Sequence, residues 1–431
     1  MADATPIGST GPHGQRVCIL AHSHPDFTKG GGEMAAYRQF TAMRAAGRDA
    51  IFVGACEVGT HYAASRPIEM IMPQGEDEFV FFFPGMTEDR LAWDDAYQRR
   101  MLVEFLAGLD CDVFHFHHYW RIGVDLISDL MDARPDATFV MTLHEMLAIC
   151  LHHGQMIKTR SRELCRREAP LNCLACYPDQ TLERFAFRKA TLLTVLRRFD
   201  HVIYPSEFIR DRYQAWGLGT RASVLENYLG DQLMALPREP GDAERLAPRF
   251  GFFGQPTAFK GLDILLRALP LALRDDPALT VTVFGAERED VLRLFPALEP
   301  VLDASGSSLS FAGRYDPADA VDLMRSVGWV VVPSIWWENS PVVIQEAKRA
   351  GTPLIVSDIG GMAEKTAPGV DGLHFKRGSP VDLARALLDA ANPARRASFG
   401  ASVRDSIGRD EFLDGLDHAF GARAALAAAA E

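Results

Sequence analysis

The sequence predicts an α/β protein made of two doubly wound halves, and three observations carry that prediction. Short apolar runs alternate with helical patterns along the chain, as in layered α/β folds. The alternation stops at a charged stretch rich in Pro and Gly and then restarts. The length, 431 residues, exceeds what one ordinary core organises and suits two or three domains.

In the first half the expected strands are Val17-Leu20, Ala50-Val53, Val113-Phe116, Thr138-Thr142 and His201-Tyr204. A helix over roughly Gly32 to Ala46, closed by Gly47, joins the first two. The second half restarts at strand Arg249-Phe253, followed by a helix from Gly261 to about Arg274. Strands at Thr280-Phe284, Leu309-Phe311 and Trp329-Val332, helix Pro341-Ala350 and strand Leu354-Val356 come next. Asp231 to Pro248, with Pro237, Pro240, Gly241 and Pro248 among charges, reads as the linker. The domains are expected at 1–235, carrying a Cys-rich insert at about 150–180, and at 248–400, with a helical segment at 401–431 crossing back to the first. No short internal repeat is visible. In open α/β sheets ligands bind beyond the carboxyl ends of strands, so a cleft between the halves is the expected site.

Composition narrows the function. Apolar residues are 48% and charged residues 24%, the proportions of a globular domain, and 10% aromatic content argues against disorder. Forty-five Lys and Arg against fifty-seven Asp and Glu leave a net charge of −12, the wrong sign for a chain that binds nucleic acid through its phosphates. No run reaches 18 apolar residues, and Met1 to Arg16 lacks the basic start and apolar run of a secretory signal. A cytoplasmic protein is expected, with its seven cysteines as thiols or metal ligands. The alanine-rich stretch from Ala422 to Glu431 reads as a fraying helix end.

The most informative stretch runs from Ser334 to Ala347 and includes Trp336, Trp337, Glu338, Asn339, Ser340, Pro341, Val342 and Glu346. It leaves a strand and enters a helix, with Ser340 expected as N-cap and Pro341 in the first helical position. Free N–H groups there suit an anion or sugar oxygens, and a carboxylate accepts two hydroxyls of a diol. An ordinary helix entry with two solvated acids satisfies the same spacing.

Glu338 and Glu346, with seven residues between them, resemble the E-x7-E signature of family 4 retaining glycosyltransferases. Other pieces follow in the family's order: Gly30-Gly31-Gly32-Glu33, His115-Phe116-His117, Ser206, Asn227, Gly254 with Lys260-Gly261, and Gly360-Gly361 with Glu364. The resemblance covers residues 17 to 395. It implies the GT-B fold, two Rossmann-like domains facing a central cleft: an acceptor-side first domain and a second domain for a nucleotide-sugar donor. No metal or other cofactor would be required for catalysis. Lys260 would neutralise the donor diphosphate as it leaves. Glu346 would hold the ribose and Glu338 the donor sugar, with main-chain groups of Gly313, Arg314 and Tyr315 on the base. Asn339, Ser340, Pro341 and Val342 complete the donor stretch, and His117 would lie near the transferred sugar; a hydrogen-bonded core histidine is the other reading of His117. The family usually carries an arginine after the glycine at 254; here Gln255 stands in its place, which leaves the second diphosphate charge to another group such as Arg314, for which a surface role is the other reading. Gly31 and Gly32 would flank the donor phosphates or the acceptor; a plain turn is the alternative. The setting implied is bacterial surface-polysaccharide or glycolipid assembly, with a saccharide or lipid-linked saccharide as acceptor.

Three further features stand apart. Cys150, Cys165, Cys173 and Cys176 fall within 27 residues, enough for a structural zinc, or else a set of buried thiols. The same insert carries Lys158, Arg160, Arg162, Arg166 and Arg167 against Glu163 and Glu168; such a cluster faces anionic lipid head groups at the inner side of the plasma membrane or a lipid-linked diphosphate acceptor, or is a solvated face. His22-Ser23-His24-Pro25-Asp26 spells H-x-H-x-D after the first strand, the pattern of a metal-dependent hydrolase, for which His115, His117, His118 and His144 offer further ligands. That reading leaves Lys260 and both glutamates unemployed and has Phe27 where a binuclear site would place histidine. A non-catalytic sugar-nucleotide-binding protein of the same fold is the third reading. Asp110-Cys111-Asp112 precedes a strand and reads as a connection.

Overall fold

The computed structural model describes residues 14–57, 70–87, 91–231, 241–404 and 406–423. They form two units, one of residues 1–228 and 407–431, the other of residues 229–406.

The first unit is built on an eight-stranded sheet. Its strands are β1 (Val17–Ala21), β2 (Ala50–Glu57), β3 (Ile71–Gly75), β4 (Glu78–Phe83), then, after a two-stranded ribbon of β5 (Met86–Thr87) and β6 (Ala92–Trp93), β7 (Val113–Phe116), β8 (Thr138–Thr142), β9 (His201–Tyr204) and β10 (Ala222–Val224). The order is β10-β9-β8-β7-β1-β2-β4-β3, parallel except for β3. Every residue of β1, β7, β8 and β9 is buried, which is why these segments read as continuous apolar runs rather than alternating ones. Val17 pairs with Ala50 on one side and Val113 on the other, so β1 and β7 end side by side.

The second unit holds a six-stranded, all-parallel sheet of β11 (Arg249–Phe253), β12 (Thr280–Phe284), β13 (Leu309–Gly313), β14 (Trp329–Val332), β15 (Leu354–Ser357) and β16 (Gly372–Phe375), in the order β13-β12-β11-β14-β15-β16. Counted within the unit this is 3-2-1-4-5-6, the dinucleotide-binding winding, whose crevice opens where the order reverses, between β11 and β14. Phe250, Leu265, Leu269, Val281, Trp329 and Leu387 pack one face, and Phe253, Met324, Ile344 and Val356 the other. Each such side chain contributes roughly 1.5–3 kcal/mol through burial.

Several expectations are corrected. Strands β3, β4, β10 and β16 were not anticipated; β10 is three residues long at an edge, and β16 begins at a glycine. The expected linker contains a helix, Asp242–Leu246, while 232–240, with Pro237 and Pro240, lies outside the described residues. The helix expected to start at Pro341 starts at Val342, because Pro341 itself is extended (ψ 119°) and takes the cap position given to Ser340. The return to the first unit comes at Ile407 rather than 401: Pro393–Ser402 is a helix of the second unit, and helix Arg409–Phe420 belongs to the first. There Phe412, Leu416 and Phe420 join Phe40, Met43 and Ile203 in the core, and the two terminal Arg48 guanidinium nitrogens donate to the Asp417 carboxylate at 2.5 and 3.0 Å. The alanine-rich end from 424 onward lies outside the described residues.

Candidate active site

In the second unit the loops after β11 and β14 meet at the winding reversal. Gly261 makes this possible: its φ is +69°, and a Cβ there would lie 1.9 Å from the Pro333 carbonyl oxygen. The Ile335 N–H donates to the Phe259 carbonyl at 2.8 Å and ties the two loops together. Lys260 Nζ thereby stands 2.7 Å from Glu338 Oε1, which also accepts from Ser334 Oγ and Trp336 Nε1, each at 2.9 Å. Glu338 is 8% exposed. Burial pushes its carboxyl up, but the Lys260 ammonium and these donors outweigh burial and hold it below the usual carboxylate range. A second close approach fixes the far side: the Gly361 N–H donates to the Glu338 carbonyl at 2.7 Å, where any Cβ would collide with Asn339 O.

Glu346 is buried on helix Val342–Arg349. Tyr315 feels it: burial, then the Glu346 charge, pushes the phenol up to about 12, while the ring stands edge-on to Phe253 at 6.0 Å. Gly313 ends β13 at φ +67°, with Glu287 Oε1 where a Cβ would be. Gln255 and Arg314 are exposed. The structure thus brings Lys260 onto Glu338 and Tyr315 near Glu346.

His117 belongs to the other unit, where β1, β7 and β8 end together and set down His22, His117, His118 and His144. Gln39, fully buried on helix Gly31–Ala45, ties that helix to the end of β7: its Nε2 lies 2.8 Å from His115 Nδ1 and its Oε1 2.9 Å from His117 Nε2. His117 Nδ1 continues to His144 Nε2 at 3.0 Å, and His115 Nε2 to Thr142 Oγ1 at 2.8 Å. As placed, the Gln39 amide oxygen only accepts, so His117 carries its proton on Nε2 and receives one from His144. Burial holds His117 well below the usual imidazole range and His144 at about 4, so both are neutral near pH 7.

Gly30 caps that helix in extended conformation and Gly31 and Gly32 open it; a Cβ on Gly32 would lie 3.3 Å from the His22 ring. Glu33, in the first turn, sits 3.3 Å from His22 Nε2 and accepts from Thr28 Oγ1 at 2.7 Å. Although burial pushes the Glu33 carboxyl up, these partners hold it at about 2. The helix start therefore already carries a fixed negative charge, the sign its dipole favours.

His22, His24 and Asp26 do not converge as a metal centre. His22 turns to Glu33, His24 Nε2 meets Glu78 Oε2 at 2.9 Å, and Asp26 accepts from Gln74 Nε2 at 2.7 Å. Cys150, Cys165, Cys173 and Cys176 line one cavity of about 40 Å³ with Ile157 and Tyr177; burial pushes the Cys150 thiol up to about 11. Among the described residues no three His, Cys, Asp or Glu side chains are placed to hold a metal ion.

Gln39 escaped sequence reading because nothing local marks an inward glutamine 78 residues from its partner. The sequence motif gives Trp336 and Ser334 no role, whereas the structure makes both donors to Glu338. His144 was read only as a spare metal ligand, although its place just past β8 is itself a strand-end signal.

Comparison with known proteins agrees with this architecture. Residues 29–228 match the family described as Glycosyltransferase Family 4, and residues 247–392 the one described as Glycosyl transferases group 1. Glycogen synthase of Mycobacterium tuberculosis is 25% identical over 415 residues, 90% of each chain. The D-inositol 3-phosphate glycosyltransferase of Nocardia farcinica is 32% identical over 286 residues, 64% of this chain and 58% of that one. Among solved structures, sucrose-phosphate synthase from Thermosynechococcus elongatus aligns with a TM-score of 0.65 at 16% identity, covering 97% of this chain and 100% of that one. Anabaena HepE, in complex with UDP and glucose, aligns with a TM-score of 0.62 at 17% identity and the same coverage. These likenesses define a glycosyltransferase of two Rossmann-like domains, and the chain belongs to family 4 of the GT-B glycosyltransferases.

Proposed function

We propose that the protein is a retaining, metal-independent glycosyltransferase that moves a sugar from a nucleotide-sugar donor to a saccharide or lipid-linked saccharide acceptor in polysaccharide or glycolipid assembly. The observation that carries this reading is the Lys260–Glu338 pair at the winding reversal of the second sheet. A buried carboxylate holds the ammonium at the crevice where such sheets bind nucleotides, and a donor diphosphate would take the ammonium over as its own charge grows. In the reaction the bond from the anomeric carbon to the diphosphate oxygen breaks, and a bond to the acceptor oxygen forms on the same face. The acceptor's proton passes to the departing phosphate oxygen, so no side chain need act as a strong base.

In this reading Glu346 holds the ribose and Glu338 the donor sugar. The backbone of Gly313, Arg314 and Tyr315 contacts the base, and Gly254, Gln255 and 339–342 line the donor. His117 and His144, neutral and linked, meet hydroxyls of the sugar. Because Glu33 already charges the helix start negatively, the glycine loop suits a neutral hydroxyl acceptor better than a phosphate. A structural zinc at Cys150, Cys165, Cys173 and Cys176 remains part of the same proposal on one ground, that all four line one cavity; as placed, no three of them hold an ion, so binding would require the thiols to converge.

Calorimetry with UDP, GDP and ADP on metal-stripped protein tests the donor site. One nucleoside diphosphate should bind without metal and bind at least tenfold more weakly to Lys260→Ala. No nucleotide binding to the stripped protein would refute the reading. The anomeric configuration of the sugar released by slow donor hydrolysis, read by proton NMR, tests retention.

A further inference from the structure

The insert of the first unit presents a surface whose chemistry differs from the rest of this acidic chain. Residues 157–164 form a tight finger, closed by an antiparallel bridge between Ile157 and Leu164 and by the Lys158 N–H donating to the Glu163 carbonyl at 2.8 Å. Lys158 Nζ donates to the Asn172 carbonyl at 3.1 Å and Thr159 Oγ1 to the Cys176 carbonyl at 3.0 Å, which pins the finger to helix Pro170–Cys176. Arg160 and Arg162 stand exposed on the finger, and Arg166 and Arg167 are exposed just after it. None of these four is in an ion pair among the described residues, whereas the nearby Glu168 is neutralised by Lys189 at 2.9 Å.

The helix to which the finger is pinned, and the helix packed against it, carry apolar side chains that stand exposed. Leu171 is 72% exposed and Phe187 62%, and Leu182 is exposed as well. Leu171 sits on helix Pro170–Cys176, and the other two on helix Leu182–Leu196, which packs against it. Between the two helices runs an open groove of about 440 Å³ lined by Glu168, Pro170, Ala186, Lys189 and Ala190. Unpaired arginines and protruding Leu and Phe on one insert and its packed helix are the combination that anionic bilayers bind: charge draws the protein to the headgroups, and apolar side chains enter the boundary below them.

We infer that this face, Arg160, Arg162, Arg166 and Arg167 with Leu171 and Phe187, docks the protein on an anionic lipid surface. The inference is independent of the transferase reading, since the face lies apart from the Lys260–Glu338 pair in sequence and in unit. Sedimentation of the full chain with phosphatidylcholine vesicles, with and without 30% phosphatidylglycerol, tests it. Binding is expected only to the mixed vesicles and should weaken steeply with salt. Each arginine near such a surface is worth roughly fivefold in partition. Changing all four to Ser should therefore reduce binding more than a hundredfold, while Leu171→Ser with Phe187→Ser should abolish the part that survives high salt. Circular dichroism and thermal melts confirm that both surface variants are folded. No binding to the mixed vesicles, or binding that neither variant alters, overturns the inference. Equal binding to soluble polyphosphate that ignores the Leu171 and Phe187 changes also overturns it and assigns the face to a soluble polyanion.

Discussion

Replacing Lys260 by Met keeps the aliphatic stem and removes the ammonium that Glu338 holds. The carboxylate stays nearly buried and keeps Ser334 and Trp336 as donors but loses its cation. Breaking a fully buried ion pair costs about 3–5 kcal/mol, and an exposed one about 0–1 kcal/mol. Lys260 is 38% exposed on the side chain and Glu338 10%, so the screened cost falls between these limits, about 2 kcal/mol. The loss should depend on pH with a definite sign. Glu338 is held below its unfolded value, so the pair stabilises the protein above about pH 4.5, and that stability is lost as pH falls through the folded value. Urea unfolding followed by tryptophan fluorescence should give a difference of about 2 kcal/mol at pH 7.5 that is clearly smaller at about pH 3, below the ordinary glutamate range. A difference that is the same at both pH values would refute the electrostatic account, and no loss at pH 7.5 would show that the carboxylate does not need the lysine.

Other expectations follow from the same geometry. Gly261→Ala forces a Cβ against the Pro333 carbonyl at positive φ; it should destabilise the second unit by more than about 2 kcal/mol and weaken nucleotide binding, read by melting and calorimetry. Gln39→Leu leaves His115 and His117 without their shared amide and should cost about 2–4 kcal/mol in urea unfolding, since each buried unpaired group costs about 1–3 kcal/mol. Burial raises the Glu145 carboxyl to about 7, so its contribution to stability is fully present below pH 4.5 and is lost as pH rises through 7. Glu145→Gln should therefore melt higher than the parent at pH 8 and no higher at pH 4.5. Metal analysis of the protein as purified should find one zinc per chain, lost in Cys173→Ser with Cys176→Ser; four titratable thiols and no zinc would exclude the site.

The central strands were legible because burial on both faces leaves no polar positions to interrupt them: Val17-Cys18-Ile19-Leu20 and Trp329-Val330-Val331-Val332 announce themselves. Gly372-Leu373-His374-Phe375 does not, since its edge position tolerates glycine and histidine. Phe79 to Phe83 is as apolar as any strand and follows a Gly-Glu-Asp turn with Asp77 at φ 58°, so the sequence does carry a local signal for that hairpin. The site divides in the same way. Glu338, Glu346 and Lys260 were marked by motif, but that Lys260 bonds Glu338 across 78 residues depends on Gly261 admitting the Pro333 backbone, which no local pattern encodes. Ser340 lost the cap position because a proline can itself be extended where the helix was expected to begin.

Because helix Arg409–Phe420 completes the first unit, the chain enters and leaves the second unit in mid-course, and the second is in effect an insertion within the first. During synthesis the second unit has all its strands in hand once Phe375 has emerged. The first unit must wait, with the surface destined for Phe412, Leu416 and Phe420 still open, until residues 409–420 are translated. The order of maturation is thus reversed with respect to the order of the sequence, and the half made first is the half finished last.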